Sequence, residues 1–90
     1  MEAGVWFQNP YRLGGPILVR AAGGGPTALS IYNVQGRRLR TLYRGSAGKE
    51  GQVIHWDGAS ESGTGLGTGI YFLSGSISGV QVRRAILLIR

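Results

Sequence analysis

The stretch Leu29-Ser30-Ile31-Tyr32-Asn33-Val34-Gln35-Gly36-Arg37-Arg38-Leu39-Arg40-Thr41-Leu42 decides the fold. Leu29 and Ile31 stand two positions apart with the polar Ser30 between them, the period that places alternate side chains on opposite faces of a strand. A strand over 27–34 turns Leu29 and Ile31 to the core and Tyr32 to the other face. Gln35-Gly36 then reverses the chain into a strand over 37–43, with Leu39 inward and Arg38 and Arg40 sharing the outer face. Strict alternation leaves Leu42 outside, which calls for a bulge near Thr41 or a partly covered outer face.

On either side of this stretch the same grammar repeats about every ten residues. Strands are expected over 5–8, ending at Asn9-Pro10 where proline removes a ladder donor, and over 16–22, with Ile17 and Val19 facing one way. Gly23-Gly24-Gly25-Pro26 reads as a turn, and 45–51 as a loop. A strand over 52–56 presents Ile54 and Trp56 to one side and Val53 and His55 to the other, and Asp57-Gly58 closes it. Residues 58–68, nearly all Gly, Ser and Thr, read as a flexible connection. A strand over 69–76 then forms a hairpin across Ser78-Gly79 with a last strand over 80–89. There Arg83-Arg84 interrupts the pattern before the apolar run 85–89, which implies burial on both faces or a phase shift at a bulge. That strand must also be clamped between neighbours, since a bare edge of this composition is sticky. Nowhere do apolar residues recur at helical spacing across ten residues free of glycine or proline.

Composition agrees. Ninety residues make one domain, with residues 1–4 as a start or linker before it. Seventeen glycines are more than double the usual share of about 7%, and they fall between apolar runs, where tight turns need them. With no cysteine, disulfides and thiolate metal sites are excluded. No apolar run is long enough for a membrane-spanning helix. Met1-Glu2-Ala3-Gly4 lacks the basic and apolar regions of a signal peptide, so an export signal, if used, lies elsewhere in a longer parent chain.

Chemistry-bearing groups are sparse. His55 is the single histidine and Asp57 lies two residues on, about 6.5–7 Å along a strand and too far for direct triad contact. Glu2, Glu50, Asp57 and Glu61 have no calcium-loop spacing, and Asp57 is expected to cap its own turn. Gly63-Thr64-Gly65-Leu66-Gly67-Thr68-Gly69 has glycine at every second position, which matches no phosphate-binding loop. Neither catalytic residues, nor cofactor, nor metal ligands are assigned. Nine arginines and one lysine against four acids leave a net charge of +6, which favours anionic partners. Arg37, Arg38, Arg40 and Arg44 gather on one strand, with Arg83 and Arg84 near if the strands pair suitably. The aromatics Tyr32, Tyr43, Trp56, Tyr71 and Phe72 are expected mostly in the core, which argues against a nucleic-acid sheet built of exposed rings and basic residues.

One resemblance covers about residues 9–90. Asn9-Pro10-Tyr11, the stretch 29–42, His55-Trp56-Asp57-Gly58, Gly63, Gly69-Ile70-Tyr71-Phe72 and Arg84-Ala85-Ile86-Leu87-Leu88-Ile89-Arg90 stand in the order found in immunoglobulin-like C-terminal domains of secreted bacterial proteins. The chain resembles the tail that directs cargo through the type IX secretion system, and is similar also to the immunoglobulin-like domain of the flagellar hook-capping protein. The resemblance implies an immunoglobulin-like β-sandwich of about seven antiparallel strands, defined by Gly36, Trp56, Asp57, Gly58, Gly69 and Tyr71. It implies a folded tail recognised by an outer-membrane translocon, through a surface that includes the last strand and the loops around Gly36 and Asp57. The expected function is a non-catalytic C-terminal sorting or anchoring module of a secreted or cell-surface protein. Its candidate recognition surface is Arg37, Arg38, Arg40, Arg44, Arg83, Arg84 and Arg90. Expected partners are the secretion and outer-membrane machinery, neighbouring domains of the parent chain, and an anionic cell-surface polysaccharide. The alternatives are a structural or self-assembling module and a carbohydrate-binding accessory module, the last requiring an exposed aromatic platform.

Overall fold

A computed structural model describes residues 4–21, 24–48 and 50–90. Eight strands follow in chain order: β1 (Gly4–Phe7), β2 (Tyr11–Arg12), β3 (Pro16–Arg20), β4 (Gly25–Tyr32), β5 (Arg38–Ala47), β6 (Gln52–His55), β7 (Gly69–Ile77) and β8 (Val80–Ile89). No helix occurs among the described residues. The strands form two sheets, β1-β3-β6 and β2-β8-β7-β4-β5. The chain changes sheet between β1 and β2, β2 and β3, β3 and β4, β5 and β6, and β6 and β7, as in immunoglobulin-like sandwiches. Every pairing is antiparallel except the short parallel contact of β2 with β8.

The core is assembled by alternation. Ile17 and Val19 of β3, Leu29 and Ile31 of β4, and Leu73 and Ile77 of β7 are fully enclosed. Ile86 and Leu88 of β8 add to this interior from the five-stranded sheet, and Val5 of β1 from the three-stranded one. Each such side chain is worth about 1.5–3 kcal/mol of transfer free energy, so the sandwich rests on this shared interior.

Sequence expectation and structure differ at instructive places. An eighth strand, β2, is present because Tyr11 and Arg12 run parallel to Leu88 and Ile89. Together with Asn9, it borders the last strand. The Asn9 amide donates to the Ala85 carbonyl (3.2 Å) and its Oδ1 accepts from the Leu87 amide (2.9 Å), imitating one more ladder step. The apolar end of β8 is clamped, as its composition requires. Its run 85–89 is neither doubly buried nor bulged: β7 and β8 pair without a register shift from Gly69↔Leu88 to Ile77↔Val80. Val82, Ile86 and Leu88 point inward, Leu87 and Ile89 sit half-buried on the outer face, and Arg83-Arg84 leaves the phase undisturbed.

β4 begins inside the expected 23–26 turn, because Gly25 and Pro26 already pair with Ala47 and Ser46. Gly23 and Ala22 lie outside the described residues. That pairing carries β5 through Ala47, into what the sequence suggests is a loop. At the other end β4 stops at Tyr32, and Val34 stands 63% exposed. Asn33 organises this turn, its Oδ1 accepting from the amides of Gln35 (3.0 Å) and Arg37 (2.9 Å). Gly36 takes φ of 86° there, a left-handed conformation that glycine adopts without steric cost.

β5 carries two register shifts. Tyr43 faces Leu29 and Thr41 faces Ser30, which leaves Leu42 as an extra residue turned against the core, close to the expected bulge. A second shift sets Arg40 opposite Ile31 and Arg38 opposite Tyr32, with Leu39 unpaired between them. This overturns the expected shared face of the two arginines. Arg38 lies on the outer face, while Arg40 takes the inward direction of Ile31 and Leu39 stays only half-buried.

Candidate functional site

Two constellations concentrate polar chemistry. The first surrounds Trp56, which is fully buried and follows β6. Its backbone amide leaves the ladder to donate to the Tyr11 hydroxyl (3.0 Å), and its indole Nε1 donates to the Ala59 carbonyl (3.0 Å). Tyr11 stacks on Trp56 with ring centroids 5.9 Å apart, and Tyr71 meets the indole edge-on at 6.3 Å. Burial pushes the Tyr11 hydroxyl above its ordinary pKa of 10.0, against the opposing bond to Trp56 and with help from the Asp57 charge.

Asp57 caps its own turn as expected, Oδ1 accepting from the Ala59 amide at 3.0 Å. The same oxygen pairs with Arg40 at 2.9 Å, and Arg40 also donates to the Ala59 carbonyl at 3.3 Å. The inward turn of Arg40 thus ties β5 to the tryptophan turn. Gly58 is buried, its carbonyl accepting from the Leu66 amide at 2.8 Å. The segment 58–68 is firmly docked rather than a loose connection. The Glu61 amide donates to the Leu39 carbonyl (2.8 Å) and its carboxylate accepts from the Thr41 amide (3.1 Å), covering the edge that the β5 bulge leaves open. His55 is exposed, with Nδ1 2.8 Å from the Gly14 carbonyl, a contact that calls for the Nδ1–H tautomer. His55 and Asp57 therefore each face another partner.

The second constellation is the outer face of the five-stranded sheet. With Leu29, Ile31, Leu73 and Val82 inward, the pleat sends their neighbours outward. Register places Tyr32 beside Phe72, Ser30 beside Ser74, and Ala28 beside Ser76 across β4 and β7. Tyr32 and Phe72 are therefore on the outer face: for Tyr32 this is the side that the alternation of 27–34 gives it, while for Phe72 it corrects an expected place in the core, against which Tyr43 and Tyr71 do pack. Alternation alone carried the signal for Phe72, since Tyr71 and Leu73 share the inner phase.

The candidate arginines divide. Arg38 and Arg44 stand on this face from β5, opposite Tyr32 and Ala28. Arg83 stands on it from β8, opposite Ser74, its guanidinium 4.4 Å above the Phe72 ring. Arg84 follows the inward phase of Val82 yet is exposed, and donates to the Arg83 carbonyl at 3.3 Å. Arg37 lies in the Asn33–Gly36 turn, and Arg40 is committed to Asp57. Arg90 is folded onto the docked segment, its guanidinium donating to the Leu66 carbonyl (2.9 Å) and its amide to Thr68 (3.1 Å). One cluster of arginines is thus three on a single face and four elsewhere. Gly69 begins β7 opposite Leu88, with open space where a Cβ would stand.

These features define an immunoglobulin-like β-sandwich module. In three dimensions the chain is similar to a segment of dimeric latent PorU from Porphyromonas gingivalis, with a TM-score of 0.70 and 21% sequence identity. The likeness covers 94% of this chain and 9% of that one, so the module spans a small part of PorU's length. No family model matches the sequence, and no curated protein does. No helix among the described residues is long and apolar enough to cross a membrane.

Proposed function

We propose that this chain is a non-catalytic sorting or anchoring module at the C-terminal end of a larger secreted or cell-surface bacterial protein, acting as a folded signal read by the type IX secretion machinery. The observation that carries this reading is that the residues of the sequence resemblance occupy structural positions in one sandwich. Gly36 turns β4 into β5, Trp56 and Tyr71 meet in the core, and the closing segment is the clamped strand β8. The likeness to a small fraction of PorU supports a module carried within a longer chain. A non-catalytic role agrees with His55 and Asp57 each being held by a separate structural partner. Fold alone does not select a role, because such sandwiches serve many.

The test is to fuse residues 4–90 to a periplasmically exported reporter in a type IX-competent bacterium. Delivery of the reporter to the surface or medium is expected. Retention in the periplasm of a protease-resistant, folded fusion overturns the proposal. A structural or assembly role is the second reading, favoured by residues 80–84 of β8, whose outer edge no strand borders among the described residues. Concentration-dependent self-association of the purified domain is the result that selects it.

A further inference from the structure

We infer that the outer face of the five-stranded sheet is a binding site for an acidic oligosaccharide, a chain of sugars bearing carboxylates. The face has three parts. Its floor is small and rich in hydroxyls, with Ala28, Ser30, Ser74 and Ser76 side by side on β4 and β7. Its rims are cationic, Arg38 and Arg44 on β5 and Arg83 on β8, roughly 14 Å apart across three interstrand steps. At one end Tyr32 and Phe72 stand as neighbours, forming an aromatic platform beside the Gly36 turn. Two adjoining shallow grooves of about 270 and 210 Å³ follow this arrangement and share Tyr32 and Ser74.

Charge complementarity selects an anion. The four acids of the chain are Glu2, Glu50, Asp57 and Glu61. Among the described residues, Asp57 and Glu61 are engaged around the tryptophan turn and β5 edge, Glu50 lies in the β5–β6 connection, and none lines either groove. Arg83 is pre-organised: its guanidinium carbon sits 4.4 Å over the Phe72 ring, and its N–H groups can donate bidentately to a carboxylate.

The chemistry favours sugar over nucleic acid. A single-stranded nucleic acid needs successive free ring faces for its bases, but the two rings here sit at one end and Arg83 already covers Phe72. The serine floor instead offers donor and acceptor hydroxyls along the groove, the partners that sugar hydroxyls require. Tyr32 keeps an amphipathic ring for the apolar face of one pyranose.

The experiment titrates the domain with hexagalacturonate, with a neutral maltohexaose, and with a dT hexamer, by calorimetry at fixed low salt. Binding of the uronate hexamer alone is expected. The double variant Arg44→Gln/Arg83→Gln weakens it about tenfold or more. Arg20→Gln, on the outer side of the other sheet, leaves it within twofold, and circular dichroism verifies that each variant is folded. Absence of uronate binding overturns the inference. So does equal weakening by Arg20→Gln, which marks diffuse charge, or tighter binding of the dT hexamer, which marks a nucleic-acid face.

Discussion

Trp56 donates its backbone amide to the Tyr11 hydroxyl at 3.0 Å, and that hydroxyl lies 2.6 Å from the Gly15 carbonyl, the shorter of its two acceptor contacts. One phenol thereby closes the end of β6 and fastens β2 to the tryptophan turn, while its ring stacks on the indole. Two strands that belong to different sheets are joined by this one group.

Replacing Tyr11 by Phe keeps the stack and removes the hydroxyl. The Trp56 amide is then left buried without a partner, which costs about 1–3 kcal/mol. Urea unfolding with an unchanged m-value and a lower midpoint is the expected result; an unchanged midpoint contradicts the role given to the hydroxyl.

Alkaline pH acts on the same atom. The folded state holds the Tyr11 proton more tightly than the unfolded chain, so above pH 10 the native state binds more protons. The stability contributed by this group is complete below pH 10 and is lost as pH climbs through the raised native pKa. Unfolding midpoints between pH 8 and pH 12 should fall more steeply for the parent protein than for Tyr11→Phe; parallel curves refute the linkage.

Gly75 and Gly69 lie six residues apart on β7 and respond oppositely to a methyl group. A Cβ at Gly75 would run into the backbone carbonyl of Ala28 on β4, which has no room to yield. Gly75→Ala is expected to cost about 3 kcal/mol or more. At Gly69 nothing lies within 4 Å, and Gly69→Ala is expected to stay within about 0.5 kcal/mol of the parent. Thermal denaturation of the pair decides it, and equal losses contradict the close approach of β4 and β7.

Asn9 is the side chain that completes the border of β8. Asn9→Ala removes both of its bonds to that strand and is expected to cost about 1–2 kcal/mol. Amide hydrogen exchange should rise first at Leu87; unchanged protection there contradicts the clamp.

Much of this architecture is legible in the amino-acid order. The apolar alternation of 27–34 already separates Leu29 and Ile31 from Tyr32, and the same rule buries Ile17, Val19 and Trp56 and turns Ile54 against the core. Ser78-Gly79 marks the β7–β8 hairpin to the residue. The candidate site was less legible. Seven arginines can be counted in a string, but their faces depend on whether the phase of each strand is kept. β8 keeps it through Arg83 and Arg84, whereas β5 breaks it twice, and one shift is enough to send Arg40 inward to Asp57 and leave Arg38 outside.

The amino-acid order alone therefore sets the local part: period-two segments, their turns, and which side chains within an unbroken strand share a face. These follow from the geometry of one chain, in which neighbouring residues have no choice of side. Long-range packing is what sets β2 beside β8, brings Tyr11 to Trp56, and lays Arg83 from one strand over Phe72 from another beside Tyr32 from a third. The reason is that pairing partners and bulges are settled by competition among segments far apart in the chain for the same core, and no single segment carries that information.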